Sequence, residues 1–241
     1  MTRAALLLTG NARFCKDFDS QLENLTRADV DWFVYLWDKD HSSDTCISPN
    51  WKCTTEDHVV TRLTPMLPPR HRLRVVRILP AMPQLTKEYT PFYANPYNFI
   101  SQYTILKEAG KSISDEYDIV IRSRSDIGID RPLDLSWLDS YLNSSVNRNE
   151  IVIPLNERRG PHDFCDQFAI GNPLTMQKYI NVVDDIDRVY NEGTPFNPEY
   201  IIGRSLRDQG IFWRPAQFNI NLRVQGHHVP GHFHPEFGRW L

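Results

Sequence analysis

At 241 residues the chain is long enough to bury a large core, and 27 Lys and Arg against 30 Asp and Glu leave a net charge of -3. That balance excludes the global basic footprint that nucleic acid or anionic lipid would need, so any polyanion has to be met by local charges. The cysteines, Cys15, Cys46, Cys53 and Cys165, form neither a Cys-x-x-Cys motif nor a dense disulfide framework, which points to free thiols in a reducing compartment, with a Cys46–Cys53 pair as the alternative. Met1 to Gly10 has only five consecutive apolar residues, too few for the apolar region of a signal peptide, and no stretch is long enough to span a membrane. The expectation is a soluble, cytoplasmic protein.

Ala4 to Leu8 is an apolar run that ends at Thr9-Gly-Asn11, the pattern of a strand followed by a turn. Phe14, Phe18, Leu22 and Leu25 then recur at helical spacing and complete a strand–helix unit. Thr9, Gly10, Asn11 and Arg13 fall at its upper edge, where a glycine lets backbone approach a ligand and an arginine pairs with phosphate. Trp32 to Trp37 reads as a second buried strand ending at Asp38-Lys-Asp40, whose carboxylates should share that edge. His41 to Asn50 is a polar loop, and Glu56 to Leu63 predicts a short helix stopped by Pro65, Pro68 and Pro69. Arg72 to Leu79 alternates basic and apolar residues as a partly exposed strand does, and Pro80 to Pro96 reads as a long irregular loop. Tyr97 to Ala109 restores helical spacing until Gly110 closes it.

Most of the chemistry gathers in Tyr117 to Asp130. Asp118-Ile-Val-Ile121 has the composition of a strand covered on both faces. Arg122, Arg124 and Asp126 follow, and would set cations and a carboxylate at its carboxyl end, where open α/β sheets bind ligands. Such a cluster suits an anion or a metal-bound anion; the plainer alternative is a solvated turn with a surface ion pair. Leu133 to Leu142 predicts a helix, Ile151 to Ile153 a strand, and Asn156 to Asp163 a polar lip carrying Arg158, Arg159 and His162. Asp166 and Gln167 stand directly before an apolar run to Gly171. Helices are predicted over Pro173 to Val189 and Pro198 to Gln209, with a late strand from Ile211. Gln225 to Leu241 carries His227, His228, His232 and His234, a density unusual for an idle terminus. Strands alternating with helices imply an α/β sandwich, parallel at least in its first half.

Four pieces in order, Leu6-Leu-Leu-Thr-Gly-Asn-Ala-Arg-Phe14, Asp31-Trp-Phe-Val-Tyr-Leu-Trp-Asp38, Tyr117 to Asp126 and Asp166-Gln-Phe-Ala-Ile-Gly171, resemble the small nucleotide-sugar glycosyltransferases of the GT-A fold, near the lipopolysaccharide and capsule synthesis proteins of bacteria and large viruses. The resemblance spans most of the chain. It implies an α/β, GT-A-like (Rossmann-like) single domain with a mostly parallel central sheet flanked by helices, a nucleotide-sugar donor (a UDP-sugar favoured) and a glycan acceptor. The family's Asp-x-Asp motif, whose last carboxylate binds a divalent cation that bridges the donor diphosphate, corresponds here to Arg124-Ser-Asp126. One acidic partner is missing. That leaves Mn2+ or Mg2+, the preferred reading, held by fewer protein ligands, or charge neutralisation by Arg122 and Arg124.

Retaining members of the family place a late histidine in a pattern like His-Phe/Tyr-x-Gly-x-x-Lys-Pro-Trp. The segment His232-Phe-His-Pro-Glu-Phe-Gly-Arg-Trp240 is similar at both ends, although Arg239 is displaced by one residue and the proline is absent. By this resemblance Asp126 and His232 are the metal ligands, with His234 as the alternative, and Arg239 joins Thr9, Gly10, Asn11, Arg13, Asp38, Arg122 and Arg124 at the nucleotide sugar. Asp166 with Gln167 is the pair placed to serve the attacking hydroxyl, and because Asp-Gln also occurs at the sugar site of some retaining members, retention is favoured over inversion. Two other readings stand beside this one. A metal-dependent nucleotidyltransferase would carry a Gly-rich loop after the first strand, where Thr9 to Arg13 has a single glycine. A catalytically silent glycan-binding module would use Trp37, Trp51, Tyr93 and Trp213 as stacking platforms, although core packing explains such aromatics as well.

Overall fold

The computed structural model describes residues 1–11, 23–38, 55–80, 85, 87–90, 95–114, 116–154, 164–218, 220–222, 233–234 and 239–240, those from 221 onward by backbone alone. Its centre is a seven-stranded sheet: β1 (Arg3–Asn11), β2 (Asp29–Asp38), β3 (His71–Pro80), β4 (Ile119–Arg124), β5 (Glu150–Pro154), β6 (Phe168–Gly171) and β7 (Phe212–Ala216). The spatial order is β7-β5-β6-β4-β1-β2-β3. β3, β2, β1 and β4 run parallel, as do β5 and β7, while β6 is antiparallel to both β4 and β5. The sheet is therefore mostly parallel and flanked by helices, compatible with a Rossmann-like α/β architecture.

The helices are α1 (Glu56–Leu63), α2 (Pro96–Gly110), α3 (Leu135–Leu142), α4 (Pro173–Ile180), α5 (Ile186–Asn191) and α6 (Pro198–Asp208). Local chemistry explains their starts. Asn95, Asn172 and Asn197 each accept a backbone N–H from the first turn of α2, α4 and α6, and each is followed by proline at the first helical position, where its missing N–H costs nothing. Residues Ala4 to Leu8 of β1 and Trp32, Val34 and Leu36 of β2 are fully buried, as strands covered on both faces must be. α2 turns Phe99, Tyr103, Ile105, Leu106 and Ala109 into the core and packs on β1 and β2.

Several predicted boundaries shift. The central strand extends through Ile119–Arg124, so Arg122 and Arg124 lie inside β4 and not in the turn after it. The helix predicted over Pro173 to Val189 is three pieces, α4, a 3-10 segment Asn181–Asp185 and α5. Leu133–Asp134 pairs with Leu25–Thr26 before α3 begins, and Ile127–Ile129 pairs antiparallel with Ile220–Leu222. Near the carboxyl terminus Phe233–His234 pairs antiparallel with Arg239–Trp240. The expected helix around Phe14 and Phe18, the polar loop His41 to Asn50 and the lip Asn156 to Asp163 lie outside the described residues. No described helix is long and apolar enough to cross a membrane.

Candidate functional site

Chain order steps from β1 outward to β2 and β3, then returns to place β4 on the other side of β1. The reversal leaves a crevice between the carboxyl ends of β1 and β4, the place where open α/β sheets receive ligands. Thr9 is level with Arg124, and Asn11 is level with Trp37, so the end of β1, exposed Asp38 and the β4 turn share one edge. Gly10 has φ +143°, a backbone geometry L side chains rarely adopt. Ser125 Oγ donates to the Asn11 carbonyl at 3.2 Å and ties the two turns together. Four residues singled out from sequence, Thr9, Gly10, Asn11 and Asp38, thus converge with Arg124 and Asp126.

Arg124 and Asp126 meet each other first. Nε and Nη2 donate to the two carboxylate oxygens at 2.7 and 2.6 Å, a bidentate fork between mostly buried side chains. Burial works against the Arg124 charge, but the Asp126 carboxylate more than offsets it and holds the guanidinium above its ordinary value. Each Asp126 oxygen accepts one of these bonds, so the carboxylate is fixed by Arg124. Among the described residues no three His, Cys, Asp or Glu side chains converge on one point. His232 and Arg13 lie outside the described residues, and Arg239 is described by its backbone alone.

Asp166 and Gln167 lead into β6 beside the same edge. The Asp166 carbonyl accepts from Gln102 Nε2 at 2.8 Å and from Tyr103 Oη at 3.4 Å, which fixes the backbone. Its half-buried carboxylate makes no hydrogen bond or ion pair among the described residues. Gln167 is buried, and its Oε1 has no partner there either. Beneath them the Tyr103 and Tyr179 hydroxyls sit 2.9 Å apart, and burial pushes both well above the ordinary phenol range. They remain neutral donors. Sequence reading passed over this pair; the available signal was a phenol on the otherwise apolar buried face of α2.

Arg122 differs most from expectation. It lies one side-chain row below Arg124, level with Leu7 on β1 and Ala169 on β6, about 6.6 Å deeper at the usual rise of a strand. Its side chain is fully buried, and Nε, Nη1 and Nη2 have no hydrogen-bond partner among the described residues. Thr9 Oγ1 is likewise unpartnered.

Of the stacking platforms read from sequence, Trp37 and Trp213 are described. Trp37 is buried and its Nε1 donates to the Ser101 carbonyl at 3.1 Å, while Trp213 packs edge-on to Phe164; Trp51 and Tyr93 lie outside the described residues. Two open grooves lie apart from the crevice. One, of about 740 Å³, is lined by paired charges such as Asp185, Arg188 and Asp208. The other, of about 580 Å³, follows α1 and the edge strand β3. No protein-family model matches the chain, and no curated protein matches it.

Proposed function

We propose that this protein is a GT-A-like, nucleotide-sugar-dependent glycosyltransferase that moves a sugar from a nucleotide-diphosphate donor, a UDP-sugar favoured, to a glycan acceptor in the cytoplasm. The observation that carries the reading is the crevice between β1 and β4, where Gly10, the Arg124–Asp126 fork and the Asp166 carboxylate, unpaired among the described residues, come together. The Gly10 turn leaves backbone open to close approach, and the adjoining guanidinium suits a diphosphate.

In this reading Arg124 stabilises the negative charge that builds on the diphosphate as the sugar–phosphate bond breaks. Asp126 fixes the plane of that guanidinium and so acts as a positioning residue. The bond's electrons leave with the diphosphate. The acceptor oxygen forms the new bond to the anomeric carbon while the Asp166 carboxylate takes its proton, and Gln167 helps hold the sugar. The described residues do not by themselves fit Mn2+ or Mg2+, because no three His, Cys, Asp or Glu side chains converge among them. No step above passes through a cation.

Incubation with a panel of nucleotide sugars, with and without manganese, tests the proposal through release of the free nucleotide. Turnover with at least one donor is expected. Asp166→Asn should lower that turnover by about a hundredfold or more while nucleotide still binds. Absence of both binding and turnover across the panel would refute the proposal.

A further inference from the structure

Arg122 is sealed from bulk solvent and finds no hydrogen-bond acceptor among the described residues. A buried guanidinium is costly unless an anion or ordered water satisfies it. The neighbouring carboxylates do not do so: Asp126 is held by Arg124, and Asp166 forms no ion pair among the described residues. Two further buried groups, Thr9 Oγ1 and Gln167 Oε1, are also without partners among the described residues. Strand register places them together. Thr9 is level with Arg124, and Phe168 is level with Ser123, so Gln167 stands beside Arg124 on the next strand. Arg122 is two residues earlier on β4 and shares the face that Arg124 presents. Its charge is also felt at the buried Tyr103 and Tyr179 hydroxyls.

We infer that this cluster of buried polar groups receives the carboxylate of the transferred sugar, so that the donor is a nucleotide-linked sugar acid of the hexuronate type and not a neutral hexose. The inference rests on the proposed glycosyltransfer and names its substrate class. A guanidinium fork matches a carboxylate in two parallel hydrogen bonds, and the unpartnered Thr9 hydroxyl supplies a further donor. Gln167 Oε1 accepts a sugar hydroxyl. Depth separates this group from the diphosphate: the bulky nucleotide stays at the strand ends with Arg124, and only the compact sugar end reaches the row below. A neutral hexose would leave Arg122 as unpaired as it is now.

Calorimetric titration of the whole protein with UDP, UDP-glucose and UDP-glucuronate tests this. Wild type should bind UDP-glucuronate at least about tenfold more tightly than UDP-glucose. In Arg122→Met the ratio of the two affinities should fall to near one, and Arg122→Lys should restore part of it. Equal wild-type affinities, or an Arg122→Met variant that weakens all three ligands by one common factor, would overturn the inference and leave Arg122 a structural residue. Should Arg122→Met fail to fold, the wild-type ratio alone decides. UDP binding without a uronate preference defeats only this inference; failure of every uridine nucleotide to bind defeats this inference and the UDP-sugar donor together, and the full panel of nucleotide sugars then decides the glycosyltransferase reading.

Discussion

At the scale of single residues, the function turns on which charges are already spent. Asp126 stands in the sequence as a carboxylate awaiting a metal, but in the fold it spends both oxygens on Arg124. Asp126→Asn keeps the shape and removes the charge, leaving a mostly buried guanidinium short of its partner. We expect a stability loss of about 3 kcal/mol and a marked fall in turnover. Wild-type turnover in that variant would show that the fork is structural only. Arg122 illustrates why such details were not legible. A charged residue interrupts the apolar pattern by which a buried strand is recognised, so the strand seemed to end at Ile121, one residue before it.

His71 gives a second residue-scale test, remote from the site. Trp32 Nε1 donates to Nδ1 at 3.3 Å, so Nε2 carries the ring proton and donates to the Leu25 carbonyl at 3.2 Å. Burial pushes the folded pKa below the ordinary histidine value, and the Leu25 bond opposes this only in part. The unfolded chain therefore binds more protons on the acid side. Stability is fully present above about pH 6.5 and is lost as pH falls through the lower folded value. Thermal midpoints recorded from about pH 7.5 to about pH 5 should show a shallower acid-side decline in His71→Gln than in wild type. Parallel declines would contradict this.

At the scale of elements, apolar spacing located the strands and most helices, because burial dictates it. The Glu56 to Leu63 helix has the predicted bounds, and Asp38 terminates its strand as expected. Spacing could not see where side chains cut a helix short. Asn181 Nδ2 donates to the Gln177 carbonyl at 2.9 Å and helps end α4, after which the chain tightens into a 3-10 segment before α5. The join between β6 and α4 is equally tight. A Cβ on Gly171 would lie 2.6 Å from Thr175 Oγ1 and 2.9 Å from Met176 Cγ. Gly171→Ala should destabilise the fold by roughly 1–3 kcal/mol, read as a lower urea midpoint with the denaturant slope unchanged. An unshifted midpoint would mean that α4 moves aside without cost.

At the scale of the whole molecule, alternating strands and helices made a largely parallel α/β sheet legible. The reversed direction of β6 was not, because apolar periodicity carries no information on strand direction. The return of β4 to the free side of β1 was hidden for a related reason: register between distant segments leaves no mark on either one. Yet this return brings Gly10 beside Ser125 and creates the crevice on which the proposed function depends. A crystal structure determined with UDP and manganese present would test that claim most directly. The diphosphate should lie between the carboxyl ends of β1 and β4, within hydrogen-bonding distance of the Gly10 backbone and the Arg124 guanidinium. UDP lodged instead in the groove lined by Asp185, Arg188 and Asp208, or an empty crevice at saturating nucleotide, would contradict it.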